Sequence, residues 1–149
     1  MRVSVIGGSE VTDEEYAVAR RLGRTLAERG HTVVCGGLTG VMEAVARGVA
    51  AGDGATIGIV PGTDPAAANE YVDTIIATGL GNARNVLVVL NGDAAIAVDG
   101  GTGTLSEIGH ALDFGRPVAG IDTHDVEGVE AVESAREAVE YVESAVADD

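Results

Sequence analysis

Lysine is absent from the sequence: the nine basic residues are all arginine, and they stand against 24 acidic ones for a formal net charge of -15. Such a field repels a phosphate backbone, so nucleic acid is not an expected partner. The missing lysine also removes the cation of a P-loop, and neither that motif nor the dinucleotide fingerprint G-x-G-x-x-G occurs. Cysteine occurs once, at Cys35, which rules out an internal disulfide and a cysteine-built zinc site. The expectation is a buried, inert thiol in a reducing cytoplasm. Long hydrophobic runs are missing too. The apolar run that opens the chain gives way to Gly7-Gly8 after a few residues, and no later run reaches spanning length, so neither a signal peptide nor a membrane partner is expected.

The acidity has a physical consequence of its own. Self-repulsion weakens a fold in dilute buffer, whereas about 1 M salt shortens the Debye length to about 3 Å and screens it. The composition therefore predicts a protein adapted to a high-salt cytoplasm, as in extreme halophiles.

With 149 residues the chain is sized for one domain with one proper core, spanning 1–149. Apolar, β-branched runs alternate with amphipathic stretches from end to end. The alternation predicts an α/β fold of Rossmann-like build: an open, mostly parallel, twisted sheet of about six to seven strands with helices on both faces. Strands are expected at Val3–Ile6, Thr32–Cys35, Thr56–Val60, Val72–Ala77, Ala94–Val98 and Pro117–Ile121. The first helix is entered by a capping-box pattern from Thr12 to Glu15 and stopped at Gly30. Further helices are expected at Val41–Ala51, Asn82–Leu90 and Thr104–Phe114. A last one, Glu127–Val146, carries a stripe of Val129, Val132, Val139, Val142 and Val146 opposite an acidic, solvated face.

In an open parallel sheet the ligand lies beyond the carboxyl ends of the strands. Glycines recur there: Gly7-Gly8-Ser9, Gly36-Gly37-Leu38-Thr39-Gly40, Gly79-Leu80-Gly81 and Gly100-Gly101-Thr102-Gly103-Thr104. Glycine lets the backbone approach a ligand, and a helix starting at such a turn aims free N–H groups at an anion. Each turn alone is equally explained by the sterics of a tight strand-to-helix connection; four at one edge point to a phosphate cradle. Thr102 and Thr104 offer hydroxyls to phosphate or cap the helix, and the roles are compatible. Two ionisable residues stand beside the turns. Arg84 fits a fork onto phosphate or carboxylate, or a surface pair with an acid. Glu107 fits the sugar or the bond being broken, or simply a favourable charge near a helix N-terminus. His31, His110 and His124 are too scattered for a metal site, and His110 reads as a helix-packing residue. Ser9 has no histidine near it in sequence, so a hydrolase triad has no support.

The segment Gly100-Gly101-Thr102-Gly103-Thr104-Leu105-Ser106-Glu107 resembles the P-G-G-x-G-T-x-x-E motif of the LONELY GUY proteins, formerly called lysine decarboxylases, within the SLOG superfamily. Arg84 lies at the spacing of that family's catalytic arginine, and Gly36–Ala44 and Ile57–Gly62 resemble its other glycine motif and third strand. The similarity runs from Val3 to about Ile121. It implies a phosphoribohydrolase that cuts the N-glycosidic bond of a nucleoside 5′-monophosphate to a free base and ribose 5-phosphate. Glu107 would then engage the ribose or the developing oxocarbenium charge, with Arg84 at the reacting centre. Gly7, Gly8, Ser9, Gly36, Gly37, Thr39, Gly79, Asn85, Gly100, Gly101, Thr102, Gly103 and Thr104 would hold the phosphorylated ligand.

Two positions depart from the motif. Asp99 stands where the family has proline, and Asn85 where it has lysine; both lower the local positive charge. The Ala83-Arg84-Asn85 form and Thr78-Gly79 look more like a compact SLOG branch that includes molybdenum cofactor carrier proteins. That branch implies the alternative, a non-catalytic carrier or sensor of a molybdenum cofactor or a signalling nucleotide. Neither reading requires a cofactor beyond the bound ligand. The resemblance also implies a homodimer or higher homo-oligomer, joined through the Asn82 and Thr104 helices.

Overall fold

A computed structural model describes every residue, Met1–Asp149. Seven strands, β1 (Arg2–Gly7), β2 (Thr32–Cys35), β3 (Thr56–Val60), β4 (Thr74–Ala77), β5 (Ala94–Val98), β6 (Val118–Ile121) and β7 (Val129–Ala131), form one sheet. Their order is β4-β3-β2-β1-β5-β6-β7, and every pairing is parallel. The helices are α1 (Asp13–Glu28), α2 (Val41–Ala51), α3 (Asn85–Leu90), α4 (Thr102–Asp113) and α5 (Ala135–Ala147). This is the open, Rossmann-like α/β architecture that the alternation predicts.

Period-two alternation assigns the two faces. Val3 and Val5 of β1, with Ile96 and Val98 of β5, join Leu22 and Leu26 of α1, Val45 of α2 and Val139 of α5 in the larger core. Ile6, Ala95 and Ala97 point the other way, onto Val88 and Val89 of α3 and Ile108 of α4. Burying one such leucine or isoleucine contributes roughly 1.5–3 kcal/mol. Because β5 is covered on both sides, all five of its residues are buried, and alanine keeps the helices close. Ser4 also faces α3, where its hydroxyl donates to the Val88 carbonyl at 2.7 Å.

Helix α1 starts as expected: Thr12 accepts from the Glu15 amide at 3.2 Å. It crosses α2 almost backbone to backbone. A Cβ at Gly48 would stand 1.9 Å from the Arg20 carbonyl oxygen, and one at Gly23 2.0 Å from that of Val45.

The C-terminal expectation needs correcting. No helix runs from Glu127; Val129–Ala131 pairs with β6 as an edge strand, and the helix begins at Ala135. The physical reason is local. Gly128 takes a φ of 99°, which breaks a helix, while Ser134 caps α5 through the Glu137 amide and the Glu137 carboxylate reaches back to the Glu133 amide. Elsewhere the shifts are small: α4 begins at Thr102 rather than Thr104, and the stretch from Asn82 splits into a 3₁₀ turn, Gly81–Arg84, followed by α3. No helix is long and apolar enough to cross a membrane.

The order places the site. From β1 the chain steps outward to β4, then crosses to β5 on the other side of β1 and steps outward again. The neighbours β1 and β5 are thus the switch point, where connections leave in opposite directions and open a crevice at the carboxyl ends.

Candidate functional site

At that crevice lies a hollow of about 350 Å³, within the range of small-molecule sites. Gly7, Gly8 and Ser9 after β1, Gly36 after β2, Arg84 and Asn85 at the start of α3, and Gly101, Thr102, Gly103, Thr104 and Glu107 all line it. No backbone N–H from Gly100 to Thr104 has a partner within the protein. The N-terminus of α4 therefore presents a run of free amides, with the positive end of the helix dipole behind them.

The inner wall carries polar groups that folding alone does not satisfy. Arg84, only 7% exposed, is anchored through Nε to the Ile59 carbonyl at 2.9 Å, through Nη2 to the Gly36 carbonyl at 3.5 Å, and through Nη1 to Asn85 Oδ1. Burial lowers its pKa, opposed by the nearby Glu107 and Cys35, yet a guanidinium stays charged at any physiological pH. With its oxygen occupied by Arg84, the equally buried Asn85 has a free amide NH₂, which lies 3.6 Å from where a Cβ of Gly103 would sit. Glu107, 8% exposed, makes neither an ion pair with Arg84 nor a hydrogen bond within the protein. Burial pushes its carboxyl up to about 7, although the Arg84 charge pulls the other way. Burial likewise pushes the Cys35 thiol, behind the same wall, up to about 11.

Arg84 and Glu107 are brought into one hollow, although each sits differently from its expected place. Arg84 ends the 3₁₀ turn rather than lying inside a helix, and Glu107 falls on the second turn of α4 because the helix starts at Thr102. Four of the expected ligand-holding residues do not line the hollow: Gly37, Thr39, Gly79 and Gly100. Gly37 gives its carbonyl to the Asn69 side chain, and the Thr39 hydroxyl donates to the Ser9 carbonyl at 3.0 Å, so both shape loops instead. The Gly79 amide bonds to the Gly62 carbonyl. Gly100 is required by packing, because a Cβ there would strike Thr104 at 2.4 Å. The Asp99 carboxylate does not line the hollow itself: with φ of 53° it lines a separate depression of about 300 Å³ beside Thr12, Glu14 and Asp122, while one of its oxygens lies 2.9 Å from where a Cβ of Gly8, at the hollow's edge, would sit. Leu38, Met42 and Asn82 line the hollow unforeseen. They sit one or two residues from glycines that drew attention, which is the only signal they leave.

Among the glycines that line the hollow, Gly101 and Gly103 are the two at which a Cβ would meet no close contact. A Cβ at Gly101 would meet nothing within 4 Å and one at Gly103 only the Asn85 amide, while the Gly101 backbone, at φ -103° and ψ -148°, lies at the margin of the extended region. Packing therefore excludes a side chain at neither position. Gly103 even costs α4 about 1 kcal/mol relative to alanine. Both residues line the hollow, and a methyl at Gly103 would stand beside the free Asn85 amide.

The chain is similar to known proteins over nearly its whole length. A molybdenum cofactor binding protein from Rippkaea orientalis superposes with a TM-score of 0.91 at 34% identity, covering 97% of this chain and 96% of that one. A Moco carrier protein from Chlamydomonas reinhardtii gives 0.89 at 28% identity, covering 99% and 98%. An uncharacterized protein of Archaeoglobus fulgidus is 44% identical over 142 residues, 95% of this chain and 93% of its own length. A probable cytokinin riboside 5′-monophosphate phosphoribohydrolase from Oryza sativa subsp. japonica is 38% identical over 112 residues, 72% of this chain but 46% of the rice protein. The sequence profile of the SLOG cluster4 family matches residues 1–147, and the chain belongs to that family.

Proposed function

We propose that the hollow binds a small phosphorylated, nucleotide-like or pterin-like ligand, with its phosphate on the amides of Gly101–Thr104 and its ring toward Leu38 and Met42. The observation that carries this reading is the run of free amides from Gly100 to Thr104, bordered within the hollow by Gly101 and Gly103, where packing leaves room for a side chain. Of the two activities, carriage of a phosphorylated cargo such as molybdenum cofactor is the better supported. Arg84 is committed to three acceptors, and Asn85 supplies a neutral donor where hydrolytic relatives are expected to have lysine. The near-full-length similarity to cofactor-binding proteins agrees. The cargo's phosphate suits the amides, and the donor edge of a pterin suits an ionised Glu107 carboxylate.

A second reading has its own support. Arg84 and Glu107 share the hollow, and a carboxylate facing a bound ribose would stabilise oxocarbenium charge during N-glycosidic cleavage. Ionisation near pH 7 leaves part of Glu107 able to do so. The test is one experiment: nucleoside monophosphates and a phosphorylated pterin are incubated with the protein in molar KCl, and binding and ribose 5-phosphate release are measured. Tight binding without release supports carriage, and release lost in Glu107→Ala supports hydrolysis. Gly101→Ala and Gly103→Ala are expected to fold and to lose binding of either ligand. Unchanged binding in both variants refutes the anion site.

The same reading includes self-association. The exposed large apolar side chains, Ile75, Ile76, Leu80, Leu90 and Leu105, all fall on β4, the turn after it, α3 and α4. From Thr74 to Gly92 the one charged residue is Arg84, which is buried. In so acidic a chain, a charge-free apolar face beside the hollow fits a homodimer or larger homo-oligomer.

A further inference from the structure

Leaving β6, the chain turns at Asp122, whose φ is 47°, and folds back over the β5–α4 turn. Two side chains of this connection end on carbonyls of that turn. Thr123 Oγ1 donates to the Asp99 carbonyl at 2.7 Å, and His124 Nε2 to the Gly101 carbonyl at 2.9 Å. A carbonyl only accepts, so the imidazole presents Nε2–H there. The Thr123 methyl is held as well: it packs over Gly120 of β6, where a Cβ would come within 2.5 Å of it. Neither residue lines the hollow.

Their effect passes through the backbone. In a planar trans peptide the C=O and the N–H that follows it point in opposite directions. A carbonyl drawn toward the β6–β7 connection therefore turns the next amide away from it. Behind the Asp99 carbonyl stands the Gly100 amide, first of the run without partners, at a residue just outside the lining that leads directly into the lining Gly101; behind the carbonyl of Gly101 stands the Thr102 amide, which belongs to a lining residue. The two ties differ in weight. The Gly101 carbonyl also accepts the Leu105 amide at 3.1 Å, so α4 already orients that peptide. The Asp99 carbonyl has Thr123 alone, in a peptide that leads into Gly100, whose backbone lacks the restraint of a side chain.

We propose that Thr123 and His124 are positioning residues that hold the β5–α4 turn as an anion cradle, Thr123 carrying the larger share. The proposal rests on reading the hollow as a phosphate site, and it adds what keeps that site preorganised. Carbonyls satisfied from behind do not rotate toward the bound anion, so the amides need not reorganise when it arrives.

The probes are AMP and adenosine, which differ only in the phosphate, titrated calorimetrically into the full chain in molar KCl. Thr123→Val keeps the shape and the methyl contact but removes the donor. It is expected to weaken AMP about tenfold, to leave adenosine within about twofold, and to shift the ligand-free melting temperature little. Thr123→Ser is expected to restore AMP binding, and His124→Ala to weaken AMP about threefold. Equal AMP affinity in Thr123→Val and the parent overturns the proposal, as does a parallel loss of AMP and adenosine or a failure of serine to rescue. Should Thr123→Val not fold, the more exposed His124→Ala decides: an AMP-selective loss supports the proposal and no loss overturns it. If the parent chain prefers neither probe, the phosphate reading itself falls, and that result precedes any variant.

Discussion

Replacing Glu107 with glutamine is expected to stabilise the ligand-free fold above neutrality while leaving it unchanged in mild acid. The carboxyl is 8% exposed and unpartnered, and burial pushes its pKa from 4.5 to about 7 against the pull of Arg84. Between those values the native chain holds a proton that the unfolded chain has released. Stability therefore falls as pH rises through this window and is level above it. A rise of that size corresponds to about 3 kcal/mol, of which water entering the open hollow screens part, leaving about 1–3 kcal/mol as the cost of ionised Glu107. Glutamine has the same shape and no titration. The assay is urea unfolding of both proteins at pH 5 and pH 8 in molar KCl, followed by circular dichroism. The glutamine variant should gain about 1–3 kcal/mol over the parent at pH 8 and little at pH 5, or several degrees in melting temperature for a chain of this size. Because the difference between the two proteins cancels groups that titrate identically in both, a gap independent of pH refutes the reasoning. Under the proposed function, that cost is one a ligand facing Glu107 would offset.

Gly48→Ala, which helix propensity alone would make stabilising, is expected to cost at least about 2 kcal/mol because its methyl would meet the Arg20 carbonyl oxygen at 1.9 Å; a more stable variant in urea unfolding would contradict the tight α1–α2 crossing. Burial alone would raise the Glu143 carboxyl, but hydrogen bonds from His31 and Arg29 outweigh it and hold its pKa below the ordinary value. Its stabilising share is thus full above the ordinary carboxylate range and lost as pH falls through the lowered value, so Glu143→Gln should lower the melting temperature at pH 7 and flatten acid unfolding, and an unchanged acid limb would count against the network. With a net charge of -15, the melting temperature should rise between 0.1 M and 3 M KCl, and a flat response would remove the high-salt reading. Leu105→Glu, placed on the exposed apolar face, should reduce the mass seen by light scattering to that of one chain, and a parent that is already monomeric at high salt would refute self-association.

The fold was legible wherever burial on both faces leaves only one pattern. Runs such as Ala94–Val98 admit no polar residue because helices cover both sides, and the strand reads directly from the sequence. The C-terminal stretch was not legible for the opposite reason. Val129, Val132, Val139, Val142 and Val146 fit helical spacing, yet the first two belong to a half-exposed edge where periodicity is weak, and the punctuation at Gly128 and Ser134 settles the boundary. Strand β4 was found by its β-branched residues, but nothing in them tells that all four positions are exposed.

In the site, the separation between legible and hidden follows the same physics. Glycine after a strand marks a tight turn, and the sequence displays every such turn; it does not display which glycine the protein itself needs. Gly100 and Gly101 are neighbours of identical type, yet Thr104 excludes a side chain from the first and nothing excludes it from the second. Packing and backbone conformation separate them, Gly100 taking a φ of 120° and Gly101 one of -103°, and neither is written in the residue type. Asp99 shows the converse. A carboxylate beside an anion cradle reads as a defect in the sequence, but its left-handed backbone sends the side chain to the α1 side, while its carbonyl is caught by Thr123 and its amide by Ile121. Proline, with φ fixed near -65°, cannot adopt the positive φ that Asp99 takes, and aspartate is among the few residues that tolerate it. The departure from the family motif is therefore a change in how the turn is held, made with the carboxylate lying against Gly8 at the edge of the hollow.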